Sequence, residues 1–220
     1  MEASAAGAAP RREADIAPAP AVADPLERAG GWSPADPFPV GAGGFAATTF
    51  VLSMANSQLV KPASLVAALG LALVYGGLAQ LLAGMWEFRT GNTFGAAVFT
   101  SFGAFWISFY ILVHVTPAAL LLPHAVSVYL YAWTIWTLIL LIAALRTTGV
   151  VVLIFLLLFV TFLLLAIGWA NLPSSSGTTW IKWGGYVGLA TAVVAWYAAF
   201  AAVINSTFGR PIAPMFPLNV

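Results

Sequence analysis

The chain has 220 residues, of which 61% are hydrophobic and only 7% are charged. A soluble domain carries roughly a quarter charged residues, so this composition predicts an integral membrane protein. A formal net charge of +1 without a basic stripe argues against a nucleic-acid partner, and the lack of cysteine excludes disulfides and thiolate metal sites. With two histidines and no His-Glu-x-x-His pair, we expect no metal centre and no cofactor.

The N-terminal part is rich in alanine and proline and carries scattered charges. It has few bulky apolar side chains with which to bury a core, so we predict a disordered cytoplasmic tail over residues 1–35. Arg11 and Arg12 are followed by Glu13, Asp15 and prolines. A signal peptide needs an apolar run at that point, so this pattern argues against one.

Six apolar segments predict an all-α bundle of six transmembrane helices. All are long enough for a hydrocarbon core of about 30 Å except the first, which is marginal. Pro37 and Pro39 suit the start of that first helix, and Asp36 is placed to cap it. Short connections are expected between the helices, including a Ser-rich loop over residues 171–179. The predicted helices cover residues 40–55, 62–88, 93–113, 124–145, 150–170 and 180–204 of a membrane domain spanning 36–208, followed by a short cytoplasmic tail over 209–220.

The distribution of basic residues predicts the orientation. If the N-terminus faces the cytoplasm, six arginines lie on that side and only Lys61 and Lys182 lie outside. We therefore expect both termini in the cytoplasm.

Small and polar residues concentrate in the second and third predicted helices. Ala68, Ala72, Gly76, Gln80 and Gly84 recur every four residues and so share one helix face. Such a face serves close helix packing, within the protomer, between protomers, or both. Polar groups inside a bilayer are costly and commonly line a path for a solute. The candidate donors and acceptors of such a path are Thr48, Thr49, Gln80, Asn92, Thr93, Thr100 and Ser101.

Glu87 is the only acidic residue within the predicted helices. It lies near the end of the second helix, two residues before Arg89. One hypothesis is that Glu87 takes up and releases a coupled proton. The alternative is a structural contact that fixes the turn between the two helices.

Several motifs point to one known family. They are Tyr75-Gly76-Gly77-Leu78-Ala79-Gln80 with Glu87 after it, Gly91-Asn92-Thr93-Phe94-Gly95, the run from Phe99 to Trp106, and Phe208-Gly209-Arg210 near the end. With these motifs the chain resembles the acetate uptake transporter family, which includes bacterial succinate–acetate permeases and fungal acetate and ammonia outward-transport proteins.

The resemblance implies a path within each protomer of a hexamer, with an apolar constriction at Phe45, Phe102 and Leu158. Ala195 corresponds to a position beside that constriction, and Trp106 is placed on the same path. The family's entrance motif falls on Asp36, Pro37, Pro39 and Gly41, where Asp36 replaces an asparagine. The implied function is proton-coupled uptake of acetate or succinate across a bacterial inner membrane.

The residues themselves leave the mechanism open. Every lysine and arginine lies in a tail, a loop or a helix end, so no buried cation is available to pair with a carboxylate. A small solute held weakly by hydroxyl and amide groups fits better, crossing as the neutral acid or as an anion with a proton. A passive channel for urea, an amide, ammonia or undissociated acetic acid fits equally well. An enzyme is not expected, because the helices carry no catalytic constellation.

Overall fold

The computed structural model describes residue 32 and residues 34–218. Within this part of the chain it is all helical, with six helices long and apolar enough to cross a membrane. The predicted tail over residues 1–35 lies almost entirely outside the described residues. The six helices are α1 (Phe38–Asn56), α2 (Leu65–Thr90), α3 (Thr93–Val115), α4 (Pro123–Ala144), α5 (Gly149–Ala170) and α6 (Ser175–Phe208).

The predicted helices are confirmed, with one substantial difference at α6. We predicted a loop over residues 171–179, whereas the helix begins at Ser175. Ser174 caps it, because its hydroxyl accepts the backbone N–H of Gly177 at 3.2 Å. The serines that suggested a loop thus form the cap and first turn of a helix. At the other end α6 continues to Phe208, four residues beyond the predicted end.

Helix α2 contains a π-helical stretch, Val74–Ala79, where the buried glycines Gly76 and Gly77 lie. A Cβ atom on Gly76 would collide with the hydroxyl of Thr48 on α1. A Cβ on Gly77 would lie 2.8 Å from Cγ1 of Ile107 on α3. These glycines therefore let three helices of the same protomer approach closely, so this part of the small-residue face serves packing within the protomer.

The six helices pack side by side around an aromatic core, in the spatial order α4, α5, α6, α1, α2, α3. α5 packs against α4 and α6, α1 against α6 and α2, and α3 against α2. Phe102 on α3 is 1% exposed and lies at the centre of the core. Its ring contacts the rings of Phe45, Phe105, Trp133, Phe155 and Phe162.

Residues 210–218, here called the C-terminal strap, fold back onto the bundle. Oδ1 of Asn205 accepts the backbone N–H groups of Ile212 and Ala213, and its Nδ2 donates to the carbonyl of Ala213. The hydroxyl of Tyr197 donates to the carbonyl of Pro214 at 2.8 Å. Further along, the strap pairs with the turn between α4 and α5, where the N–H of Gly149 donates to Phe216. The strap thus covers one end of the bundle.

Candidate transport path

Two cavities lie inside the bundle and share two lining side chains. The first, about 390 Å³, is lined by Gln80 and is here called the Gln80 cavity. The second, about 200 Å³, is lined by Trp106 and is here called the Trp106 cavity. Phe45 of α1 and Leu158 of α5 line both cavities, so they separate one from the other.

Two of the three residues predicted for the constriction, Phe45 and Leu158, form this shared wall. Phe102 lines the Gln80 cavity, and its ring centroid lies 5.8 Å from that of Phe45 in an edge-on arrangement. Phe45, Phe102 and Leu158 are all buried and carry no polar side-chain atom. Ala195 of α6, which the resemblance places beside the constriction, also lines the Gln80 cavity. The structure therefore brings three apolar side chains together at the junction of two cavities.

The Gln80 cavity carries an amide without a partner. Gln80 is 1% exposed, and neither its Nε2 nor its Oε1 makes a hydrogen bond. Asn92 also lines this cavity, while its Oδ1 caps α3 by accepting the N–H of Gly95 at 3.0 Å. Among the described residues, Asp36 is the one charged side chain in the lining. The cavity therefore offers neutral hydrogen-bonding groups and one carboxylate.

The entrance motif lies at the Gln80 cavity. Asp36 lines it, and its Oδ1 accepts the N–H of Phe38, the first residue of α1, at 2.9 Å. Pro37 is buried, and Pro39 lies in the first turn of the helix. A Cβ atom on Gly41 would lie 2.6 Å from the ring of Phe99, so the lack of a side chain lets α1 and α3 approach. The motif thus positions Asp36 beside the cavity.

The Trp106 cavity has no charged side chain among the described residues that line it. Thr49 and Trp106 both line it and are both buried. The hydroxyl of Thr49 and the indole N–H of Trp106 have no hydrogen-bond partner. The hydroxyl of Tyr129, by contrast, is engaged with Ser108 at 2.8 Å.

Four residues predicted to lie on the path line neither cavity. Thr48 donates to the carbonyl of Gly44 at 2.9 Å and contacts Gly76. Thr100 contacts Gly84 of α2, where a Cβ atom would collide with its backbone N–H. Thr93 is exposed at the start of α3, and Ser101 is half-buried. Thr48 and Thr100 therefore belong to helix contacts.

Glu87 lies in the last turn of α2, just before the turn to α3, and lines neither cavity. It is 2% exposed, and its Oε2 accepts from Nδ2 of Asn92 at 2.8 Å and from Oγ1 of Thr90 at 3.3 Å. A Cβ atom on Gly95 would lie 2.6 Å from Cδ of Glu87. Gly91, with a φ of 77°, ends α2 in the left-handed conformation beside this contact. The contacts of Glu87 are thus those of a residue that fixes the turn.

The sequence did not point to the part of the Gln80 cavity formed near the C-terminus. Thr147 and Thr148 line it from the turn before α5, and Met215 lines it from the C-terminal strap. These residues come from a polar turn and a proline-containing segment, neither of which shows helical periodicity. Only the pairing of the strap with the turn brings them to the cavity.

The sequence model of the GPR1/FUN34/yaaH family matches residues 25–219 of the chain. The chain belongs to this family. The resemblance inferred from the motifs is thereby confirmed, and the chain is a multi-pass membrane protein.

Characterised members of the GPR1/FUN34/yaaH family are similar over most of the chain. Acetate permease A of Emericella nidulans is 39% identical over 200 residues, which cover 82% of this chain but only 65% of the permease. The succinate-acetate/proton symporter SatP of Escherichia coli K12 is 35% identical over 184 residues, covering 82% of this chain and 95% of SatP. Both names describe a transport activity rather than an enzyme.

A solved structure of a family member has the same fold. It is described as the bacterial acetate channel SatP, has a TM-score of 0.76 and is 34% identical. The match covers 83% of this chain and 99% of that chain. The family's members are thus named both as a proton symporter and as a channel, so the family leaves the coupling mechanism open.

Proposed function

We propose that this protein carries acetate and other short carboxylates, succinate among them, across the membrane through its own bundle. The observation that carries the proposal is the pair of cavities meeting at Phe45 and Leu158. Acetate is supported by the names of the similar permease and symporter. The apolar constriction at Phe45, Phe102 and Leu158 is proposed to select solutes by size.

The chemistry of the cavity walls bears on the form in which the solute crosses. Among the described residues, neither cavity is lined by a lysine, an arginine or a histidine. A bare carboxylate without a counter-charge is costly in a low-dielectric interior. We therefore propose that the solute passes the constriction as the undissociated acid, or as an anion accompanied by a proton.

This route requires no carboxyl group of the protein at the constriction. Proton coupling then results from the acid itself, which carries the proton as it crosses. Glu87 keeps two candidate roles, coupling and structural, and its contacts with Asn92 and Thr90 support the structural one. A second candidate function is a passive channel for a small neutral solute, including undissociated acetic acid, urea, an amide or ammonia. The uncharged constriction favours it equally.

The assembly and location are proposed from the family and the charges. We propose a hexamer in a bacterial inner membrane, with protons and a short carboxylate as partners. The count of basic residues supports cytoplasmic termini. In that orientation the Gln80 cavity faces the cytoplasm, because the turns between α2 and α3 and between α4 and α5 lie at its end.

Uptake of labelled acetate into liposomes holding the purified protein tests this proposal. We expect uptake faster than into empty liposomes, which are the control because acetic acid crosses lipid unaided. Accumulation that a protonophore abolishes would identify coupled transport. Fast equilibration without accumulation would identify a channel. Uptake equal to that of empty liposomes would contradict acetate as the solute.

A further inference from the structure

The C-terminal strap lies where the Gln80 cavity reaches one end of the bundle. Three lining residues come just before helices, namely Asp36 before α1, Asn92 before α3 and Thr148 before α5. Because each helix crosses the membrane in the direction opposite to the one before it, the starts of α1, α3 and α5 share one end. Met215 of the strap lines the same cavity. The strap therefore forms part of the rim of the Gln80 cavity.

The first part of the strap, residues 212–214 and here called the root, is held by side chains of α6. Asn205 accepts two backbone N–H groups of the root at 2.7 and 2.9 Å, and its Nδ2 donates to the carbonyl of Ala213 at 2.8 Å. The hydroxyl of Tyr197 adds a fourth hydrogen bond, to the carbonyl of Pro214. Ala213 is 5% exposed. The root is thus fixed to the bundle.

The second part of the strap, residues 215–218 and here called the tip, is held much less firmly. The N–H of Gly149 donates to the carbonyl of Phe216 at 2.8 Å, the N–H of Leu218 donates to Thr147 at 2.9 Å, and a third bond is 3.5 Å long. Phe216 is 60% exposed, so its side chain adds little burial. Its φ of 55° lies in the left-handed region, which is unfavourable for a residue with a side chain. Segments held by a few exposed hydrogen bonds are those that open locally at low free-energy cost.

We propose that the tip is a lid on the Gln80 cavity, which swings away from the turn between α4 and α5 about the fixed root and so controls exchange of solute at this end of the bundle. The inference rests on the proposed function for the solute that passes. When the tip leaves, the N–H of Gly149 becomes one of the unpaired donors at the start of α5, which water satisfies as it does at other helix starts. Opening therefore leaves the bundle intact.

Gly149 allows the lid to be loosened without a change in either cavity wall, because it is the first residue of α5 and lines neither cavity. Proline is favoured at the first position of a helix, and Thr148 before it has the extended backbone, φ −126° and ψ 153°, that a following proline requires. Gly149→Pro therefore removes the N–H that holds Phe216. Gly149→Ala is the matched control, since it keeps the N–H and adds a Cβ atom 3.4 Å from that of Phe216, an ordinary contact.

The first measurement follows access to the cavity without acetate. Ala195 is 1% exposed and lines the Gln80 cavity, and the chain has no cysteine, so Ala195→Cys places a single thiol inside. Its modification by a small water-soluble methanethiosulfonate is timed on the full-length protein in detergent. Since one hydrogen bond shifts an equilibrium about fivefold, we expect modification about fivefold faster with Gly149→Pro and within about twofold of the parent with Gly149→Ala. Equal rates in all three proteins would overturn the lid.

The second measurement locks the lid. The Cβ atoms of a disulfide lie about 3.5–4.5 Å apart, close to the 3.4 Å between a Cβ atom at position 149 and that of Phe216. Gly149→Cys combined with Phe216→Cys is therefore oxidised to a cross-link, whose formation is measured by the loss of both thiols. Exchange of labelled acetate in liposomes is compared between the oxidised and reduced forms, with each single-cysteine variant as the control for the oxidant. We expect oxidation to lower exchange to the rate of empty liposomes and a reductant to restore it.

The outcomes separate the lid from the function. A complete cross-link with unchanged exchange would overturn the lid and leave the function standing. Failure of the two cysteines to cross-link would also overturn the lid, because it would show that the tip does not lie against the turn. Exchange no faster than in empty liposomes, even with the reduced protein, would contradict the proposed function. The modification rates of Ala195→Cys would then decide the lid by themselves, because they require no transport.

Discussion

Thr48 and Thr49 are neighbours in the chain but belong to different regions of the molecule. Thr48 bonds to its own helix and contacts Gly76, so it joins α1 to α2. Thr49 lines the Trp106 cavity with an unused hydroxyl. Successive residues of a helix point about 100° apart, so neighbouring positions can face a helix contact and a cavity. Polar residues in these helices therefore serve two purposes, which sequence alone does not separate.

The contact between α2 and α3 gives the first and largest test of this comparison. A Cβ atom on Gly84 would collide with the backbone N–H of Thr100, whereas one on Gly70 would meet nothing within 4 Å. Backbone atoms cannot move aside as a flexible side chain can, so we expect Gly84→Ala to destabilise the protein by about 3 kcal/mol. The measurement is the melting temperature and the yield of monodisperse protein in detergent.

Gly70→Ala on the same helix is the matched control for Gly84→Ala. It adds the same methyl group in open space, so we expect it to be neutral or to stabilise by about 1 kcal/mol. Equal behaviour of the two variants would contradict the assignment of Gly84 to a tight contact.

The proposed constriction gives the second test, because its residues line the two cavities. Leu158 is buried and lies between the two cavities, so Leu158→Ala should join them. We expect uptake to extend to longer straight-chain acids, with a loss of stability of about 2 kcal/mol. The measurement is inhibition of acetate uptake by acids of increasing length.

Leu156→Ala is the control for the constriction, since Leu156 lies on the same helix and is 46% exposed. It should leave the selectivity for chain length unchanged. A size limit that is the same in Leu158→Ala and wild type would argue against a gate at this position.

The helices and the proposed constriction were predicted for different reasons, and only the helices are confirmed. The six spans follow from long apolar runs, which bilayer thickness turns into helices. Phe45, Phe102 and Leu158 came from the family resemblance, since an aromatic stripe alone is usually a packing feature. The small-residue face of α2 was visible in the sequence as a four-residue repeat. That repeat assumes a regular α-helix throughout, whereas α2 contains the π-helical stretch Val74–Ala79. The π-helical stretch rotates the part of α2 that follows it relative to a regular helix. Gln80 at the end of that stretch lines a cavity, whereas Gly84 contacts α3.

The C-terminal strap was not predictable from periodicity, and it gives the third test. Asn205 makes three hydrogen bonds to the strap, whereas Tyr197 makes one. We expect Asn205→Ala to destabilise the protein by about 2 kcal/mol and to loosen the strap, and Tyr197→Phe to have a smaller effect of about 1 kcal/mol. Met215 of the strap lines the Gln80 cavity, so loosening should expose this position.

The absence of cysteine makes the exposure of the strap measurable, because Met215→Cys introduces a single thiol. Labelling of that thiol by a water-soluble maleimide should be faster in the Asn205→Ala background than in the Tyr197→Phe background. Equal labelling rates in both backgrounds and in the parent would show that Asn205 does not hold the strap closed.

The smallest expected effect is that of Glu87→Gln. This variant tests whether Glu87 only stabilises the contact between α2 and α3 or also takes part in transport. A glutamine oxygen can still accept from Asn92 and Thr90, so we expect a change in stability of about 1 kcal/mol or less. Because Glu87 lines neither cavity, we also expect acetate accumulation driven by a proton gradient to persist.

Glu87→Ala is the companion variant. It should destabilise the protein more than Glu87→Gln, since it leaves Nδ2 of Asn92 without this hydrogen-bond partner beside Gly95. If Glu87→Gln instead equilibrates acetate but no longer accumulates it, the carboxyl group couples protons from outside both cavities. A rearrangement of the turn between α2 and α3 would then have to be part of the transport cycle.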